Sequence, residues 1–286
     1  MIESARYLRP RDLPEALAMS AKFTPRLIAG GTDLYPALAE RTVTGDVLDL
    51  SAVATLRDIL KIKRAGVTFM RIGAMVTWHD VLHHPELAGE AFHALRQCAR
   101  EVGGQQIQNR GTVVGNVCNA SPAADGVPVL MALGASLEIR SLKAQRWTSL
   151  ESFVLGPRKI SLEAGEIVTA IEVPLTALIT QSLFLKMGSR RYLVISIVML
   201  AAQWQPGQVC RIAIGACSPV ARRLASLEAW YLEGMQPAKR VEAINASLSL
   251  LRPIDDVRAD QDYRHDLARE LCEKLIVEMS SEPHHG

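Results

Sequence analysis

Paired cysteines, a strong charge of either sign and a long apolar run are all missing from this chain, and each absence removes a class of function. The five cysteines, Cys98, Cys118, Cys210, Cys217 and Cys272, are odd in number and scattered, and none forms a C-x-x-C. No disulfide framework is indicated, and no spacing suits an iron–sulfur cluster or a structural zinc, so reduced thiols and no resident metal are expected. With 32 Lys and Arg against 30 Asp and Glu, the formal net charge is +2, and no stretch interleaves basic with aromatic residues. Nucleic acid has no electrostatic footprint here. The N-terminus holds no apolar signal core, and the longest apolar run, 192–204, is broken by Ser196 and too short to span a bilayer. These readings predict a cytoplasmic protein with no membrane insertion. Internal repeats and low-complexity tracts are absent as well, and so are the G-x-G-x-x-G and P-loop fingerprints.

What is present is an ordinary globular composition, 286 residues with 49% hydrophobic and 22% charged content. That is enough to bury a sizeable core in two or three compact units. Two glycine-bearing segments stand out. In 27–34, a buried-strand pattern runs through Ile28 and Ala29 into Gly30 and Gly31, then Thr32 as a candidate N-cap, Asp33 and Leu34. Consecutive glycines expose successive N–H groups to an anion. In 108–125, Gly111 and Gly115 bracket a β-branched run, which predicts a short strand with permissive ends. Ser121 followed by Pro122 predicts an N-cap and a first helical residue, with Asp125 in the first turn. Beside that helix start, the amides of Asn116 and Asn119 and the hydroxyl of Ser121 suit phosphate or sugar hydroxyls.

Around these segments, the pattern predicts a helix over 12–22, strands over 26–29 and 47–50, and a helix over 32–39, together a small parallel β-α-β unit. A mostly antiparallel unit follows, with a hairpin of 59–63 and 68–72 across Ala65 and Gly66, strands over 136–141 and 167–173, and a helix over 89–102 packed on the sheet. Beyond a boundary near 174–181, three strands over 183–218 with a hairpin turn at 205–208 predict a small antiparallel sheet. Helices over 224–232, 237–250 and 261–279 cover it, the last presenting Tyr263, Leu267, Leu271, Leu275 and Ile276 as one stripe. The tail, 282–286, is expected to be disordered. The units divide as 1–55, 56–177 and 178–286.

The two glycine segments, in this order and separation, resemble the FAD-binding medium subunit of the xanthine dehydrogenase and carbon monoxide dehydrogenase family of molybdenum hydroxylases. Arg71-Ile72-Gly73-Ala74, Gly165-Glu166-Ile167-Val168, the 184–191 stretch ending in Gly188-Ser189-Arg190-Arg191, and a C-terminal Asp255-Asp256-Val257-Arg258 with Tyr263-Arg264 extend the likeness over nearly the whole chain. The resemblance implies an α+β, PCMH-type FAD-binding fold: a small parallel unit and a larger, mostly antiparallel one with FAD between them, then a three-stranded antiparallel sheet with helices. By motif position it implies that Ile28, Ala29, Gly30, Gly31, Thr32, Asp33 and Leu34 wrap the diphosphate. Thr112, Gly115, Asn116, Asn119, Ser121 and Asp125 would contact the rest of the cofactor, Asp125 accepting from ribose or ribityl hydroxyls. Val168 would touch the ring system, Lys186 would stand at the flavin's polar edge, and Val102, with Gly103, would add backbone contact. Where most relatives carry two glycines before Asn116, this chain has Val114 and Gly115.

For function, the resemblance implies an electron-transfer subunit that binds FAD noncovalently, takes electrons from [2Fe-2S] centres on a small partner subunit and passes them to an external acceptor, with NAD among the candidates. Molybdopterin would sit on a large partner subunit, and the assembly would be a dimer of heterotrimers. No residue of this chain is assigned catalysis. Two rival classes are a stand-alone FAD-dependent oxidoreductase, which would need an acid or base over the flavin, and a flavin-free scaffold subunit. His79 and His83, four apart on a helix, and Cys118 are weighed as a metal pair and a redox thiol, and are read instead as a solvated face and a small buried residue.

Overall fold

A strand's period-two alternation decides how the halves of this molecule meet. In the computed structural model, which describes residues 5–38, 43–175, 180–190 and 194–281, the strand Val198–Gln205 is buried along nearly its whole length. Met199 and Ala201 face a core shared with the N-terminal elements, while Val198, Leu200, Ala202 and Trp204 face a second core built with the C-terminal helices. Burial on both faces is why this segment reads as a continuous apolar run rather than an alternating one. The last residue of the helix expected over 32–39, the middle of the boundary expected near 174–181, Arg191 and the tail at 282–286 lie outside the described residues.

The first sheet is parallel, in the order Tyr7–Leu8, Val47–Asp49, Arg26–Ile28. The preceding helix, Leu13–Phe23, starts where Asp12 accepts from the Glu15 N–H and Pro14 occupies the first turn, and ends at Thr24 in the left-handed region. The second sheet runs Ile59–Arg64, Val67–Gly73, Ile167–Pro174, Ser136–Arg140, Gln145–Ser149, antiparallel throughout. Two buried carboxylates on it, Glu138 and Glu172, are met by Arg71 at 2.7 Å and Arg64 at 2.8 Å. The hairpin at 59–73 and the existence of strands at Ser136–Arg140 and Ile167–Pro174 follow the sequence expectation.

Around the third sheet the expectations need three corrections. A fourth strand, Arg222–Arg223, joins Gln181–Met187, Val198–Gln205 and Val209–Gly215; two arginines after a proline carry no apolar alternation to announce it. The helix expected over 89–102 is a short 3-10 turn, Glu90–Phe92, followed by the α-helix His93–Glu101. On the last helix, Gln261–Ser280, the buried stripe begins at Arg264, 1% exposed, whereas Tyr263 is 51% exposed. The two terminal nitrogens of the Arg264 guanidinium are engaged by the carbonyl oxygens of Ile197 and Ala216 and the carboxylate of Asp256, while its buried Nε has no hydrogen-bond partner among the described residues.

The sheet is fastened to the N-terminal elements through its edge. Gln97 accepts from the Phe184 N–H at 2.8 Å, and Ser182 accepts from the Ala94 N–H and donates to the Glu90 carbonyl, both at 2.9 Å. Edge-strand groups that would otherwise stand open are thereby satisfied by the His93–Glu101 helix and the turn before it.

Candidate functional site

The turn after Arg26–Ile28 lies at the C-terminal edge of the parallel sheet, where the register sets Ile28 beside Asp49. Its backbone is closed against the second segment: a Cβ added at Gly30 would run into the carbonyl of Arg110, and Gly31 adopts φ +74° with the Tyr35 ring 2.6 Å from where its Cβ would stand. Only glycine permits that approach at 30 and that conformation at 31. Side chains complete the junction. Asn119 donates to Asp33 at 2.5 Å, and its own oxygen accepts from the guanidinium of Arg158, a residue held in the left-handed region at the Val154–Ile160 hairpin. The two glycine-bearing segments therefore meet.

Their local structure differs from the sequence reading in two places. The run after Gly111 is helical, Val113–Asn119, because the hydroxyl of Thr112 accepts from the Gly115 N–H at 3.0 Å and caps it. The β-branched pair Val113 and Val114 made a strand look better than the cap allows. Ser121 does not cap a helix: its hydroxyl accepts from Ala123 at 3.3 Å within a turn, and the next helix, Gly126–Ala132, begins only after Asp125. The N-cap residue Asp125 makes no capping bond, and the helix's first N–H is donated instead to Asn116 Oδ1 at 3.1 Å. The helix start expected at Ser121 is thus withdrawn, and with it the dipole-driven anion site there.

The second half of the site centres on Asp125, 7% exposed. One carboxylate oxygen accepts from Lys186 Nζ at 2.8 Å and the other from the hydroxyl of Ser196. Lys186 Nζ also reaches the carbonyl of Glu101 at 3.2 Å, one residue before Val102, which ends its helix there. So Val102, Asp125 and Lys186 come together, and Asn116 accepts from Gly126 beside them, while Asn119 of the same helix reaches Asp33 after the glycine turn. Each oxygen of Asp125 thus already accepts one hydrogen bond from within the chain. Val168 is a core residue, 3% exposed, in the strand Ile167–Pro174, on which the helix Val113–Asn119 packs, and it does not line the cavity beside Lys186. A cavity of about 580 Å³ opens beside Lys186, lined by Gln97, Arg100, Glu101, Met187 and Val194 among others, within the size range of ligand sites. Ser196 and Arg158 were invisible to sequence reasoning: a lone serine interrupting an apolar run and an arginine in a hairpin carry no motif.

Burial pushes the Cys118 thiol up to about 12, and burial with the Asp125 charge pushes Cys98 well above its ordinary value. His83 Nδ1 lies 2.7 Å from the carbonyl oxygen of His79, with the rings 4.1 Å apart. No group of three or more His, Cys, Asp or Glu suited to a metal occurs among the described residues.

Comparison with known proteins fits this geometry. A family model described as the FAD binding domain in molybdopterin dehydrogenase matches residues 3–176. The chain belongs to that family. A second model, the CO dehydrogenase flavoprotein C-terminal domain, matches residues 184–279 of this FAD-binding chain. It is similar to the nicotine 6-hydroxylase medium subunit of Paenarthrobacter nicotinovorans, 28% identical over 97% of this chain and 98% of that one. Among solved structures, quinoline 2-oxidoreductase from Pseudomonas putida 86 superposes with a TM-score of 0.84 at 28% identity, covering 97% of each chain. CO dehydrogenase from Oligotropha carboxidovorans gives 0.86 at 23% identity over 96% of each, a likeness of fold. The PCMH-type α+β fold implied by the sequence resemblance is thus the fold observed.

The sheet edge beside the turn carries a titratable cluster. Burial pushes Asp49 up, but the Tyr7 hydroxyl, the Ser51 N–H and hydroxyl, and Arg9 hold it net below the ordinary carboxylate range. Tyr7 is raised, chiefly by its hydrogen bond to Asp49. The depressed Asp49 contributes stability that is present above the unfolded carboxylate value and lost as pH falls through its folded value. The raised Tyr7 contributes below the ordinary tyrosine value and loses it as pH climbs through the raised one. Tyr7→Phe is expected to cost about 1 kcal/mol or less at neutral pH, the bond being screened because Tyr7 is mostly exposed. In urea unfolding, the gap from wild type should narrow as pH drops below about 4; a gap independent of pH would remove the bond from the account.

Proposed function

We propose that this chain is the flavin-carrying electron-transfer subunit of a molybdenum hydroxylase, receiving electrons from [2Fe-2S] centres of a small partner subunit and passing them to an external acceptor such as NAD. Membership of an FAD-binding dehydrogenase family makes it an oxidoreductase component. The observation that supports the finer reading is the closure of Gly30 on the backbone of Arg110 at a parallel-sheet edge, with Asn119 of that second segment bonded to Asp33 and Asp125 of the same segment paired with the buried Lys186. When bound, FAD supplies the conversion between one-electron and two-electron chemistry that links iron–sulfur centres to an acceptor. The residues proposed to hold it are Ile28 to Leu34 along the diphosphate, Thr112, Gly115, Asn116, Asn119 and Ser121 beside it, and Val102, Val168 and Lys186 toward the ring, with Asp125 acting through Lys186.

The reading includes partners, since the related chains are named as medium subunits. A large molybdopterin-binding subunit would oxidise the organic substrate, and the whole would form a dimer of heterotrimers in the cytoplasm. No helix of the described residues is long and apolar enough to cross a membrane. The full chain, purified alone and incubated with FAD, is expected to retain about one flavin per chain after desalting, seen as an oxidised-flavin absorption spectrum. Copurification from its native host should bring down a molybdenum-containing and an iron–sulfur-containing polypeptide. A colourless chain ends the flavin reading, and catalytic turnover of an organic substrate by the chain alone replaces the subunit reading with that of a free-standing enzyme.

A further inference from the structure

Lys186 is not a lone cation. Its ammonium is 8% exposed and shares a buried ion pair with Asp125, itself equally buried. The second oxygen of Asp125 is taken by Ser196, which is fully buried on the short segment that leads into the central strand Val198–Gln205. Three residues from three separate elements, the end of the glycine segment, the edge strand and the 194–197 segment, thus fix one charge at the wall of the cavity of about 580 Å³. A buried carboxylate needs donors on both oxygens to be retained without large cost. Here one donor is charged and the other neutral, so the carboxylate is aimed by the serine and in turn aims the lysine.

We propose that Ser196 and Asp125 are positioning residues that hold Lys186 at a set distance from the flavin ring and thereby set the reduction potential of the bound cofactor. This rests on the flavin reading above. An ammonium near the ring stabilises the negative charge gained on reduction, and a carboxylate drawn against that ammonium offsets part of the effect. The potential then depends on how tightly the pair is held. Ser196 carries no charge and meets Asp125, so any influence it exerts on the flavin passes through the pair.

The test is a redox titration of the full chain at saturating FAD, with an absorbing reference dye of known potential. Lys186→Gln is expected to disfavour reduction about tenfold in equilibrium constant, a fall of about 30 mV for a two-electron couple. Asp125→Asn should favour reduction by a similar factor. Ser196→Ala should shift the potential in the same direction as Asp125→Asn but by less, about threefold, and Ser196→Thr, which keeps the hydroxyl, should restore it. The decisive reading is the double variant: the Ser196→Ala shift should vanish in the Lys186→Gln background, as coupled residues require. A Ser196→Ala shift that persists there, or no shift in the single variant, overturns the proposal while leaving flavin binding intact. If Asp125→Asn folds poorly, the Ser196 and Lys186 variants complete the cycle without it. A wild-type chain that takes up no FAD overturns the flavin reading and this proposal together.

Discussion

Gly30→Ala is expected to leave a folded chain that recovers less than a tenth of the flavin held by the wild type. The added Cβ would meet the Arg110 carbonyl, with the Gly111 Cα also only 3.1 Å away. Neither contact is the end of a flexible side chain, so the turn itself must move away from the second segment. Overpacking of this kind costs about 1–3 kcal/mol of stability. The larger effect falls on binding. Backbone N–H groups that meet an ionised diphosphate contribute roughly 1.5–3 kcal/mol each, and displacing a pair of them weakens binding by about 3–6 kcal/mol, or a factor of about a hundred to ten thousand. Gly89→Ala is the control, since Gly89 has ordinary backbone angles and open space where a Cβ would go. Flavin content after desalting, read with thermal unfolding of both variants, separates a lost site from a lost fold. If the Gly30 variant binds FAD within threefold of wild type, the diphosphate does not lie on this turn.

That experiment probes a feature that sequence alone located well. The doublet of glycines after an apolar triplet, and the helix capped by Asp12 with proline in its first turn, are local signals, and local signals survive into the structure. The hairpin at 59–73 is of the same kind, its two strands set by turn chemistry and alternation. Misreadings cluster where tertiary contacts override a local preference. Val113 and Val114 favour a strand in isolation, yet one threonine hydroxyl on the Gly115 N–H and burial against the Ile167–Pro174 strand make the segment helical. Ser121 and Pro122 have the composition of a helix start, but the segment spends those residues on a turn that aligns Ala216 with the Pro122 carbonyl. The role of Asp125 was open to misassignment for the same reason: its partners, Lys186 and Ser196, lie 61 and 71 positions away, and no spacing rule brings them to it. Site chemistry assembled across elements is what a linear reading misses, while the individual residue types it requires are visible.

Arg264→Met is expected to cost about 3–5 kcal/mol, the range for removing one member of a buried charged network. The methionine fills much of the volume of the arginine stem, so the loss reports the guanidinium rather than a cavity. Three acceptors are left behind: the carbonyls of Ile197 and Ala216, and one oxygen of Asp256. Arg264→Lys should recover less than half, because a single ammonium cannot span two strand-end carbonyls and a carboxylate as a planar fork does. Acid sensitivity follows from the same network. Burial pushes Asp256 up, yet Arg258 through its side chain and N–H, with the charge of Arg264, holds it below the ordinary range. Its stabilising contribution is therefore present above the unfolded carboxylate value and fades as pH falls through the depressed folded one. Urea unfolding followed by tryptophan fluorescence, with Trp204 and Trp230 in the second core, should give the variant a lower midpoint at pH 7 and a shallower loss on acidification. The position of Ile197 adds a consequence for the site. It directly follows Ser196, so the arginine that anchors the start of the central strand also anchors the serine that aims Asp125. A variant that destabilises the C-terminal core should therefore also shift the potential of any flavin it retains in the direction of Ser196→Ala. Unchanged stability in Arg264→Met would mean that the last helix is held by its apolar stripe alone.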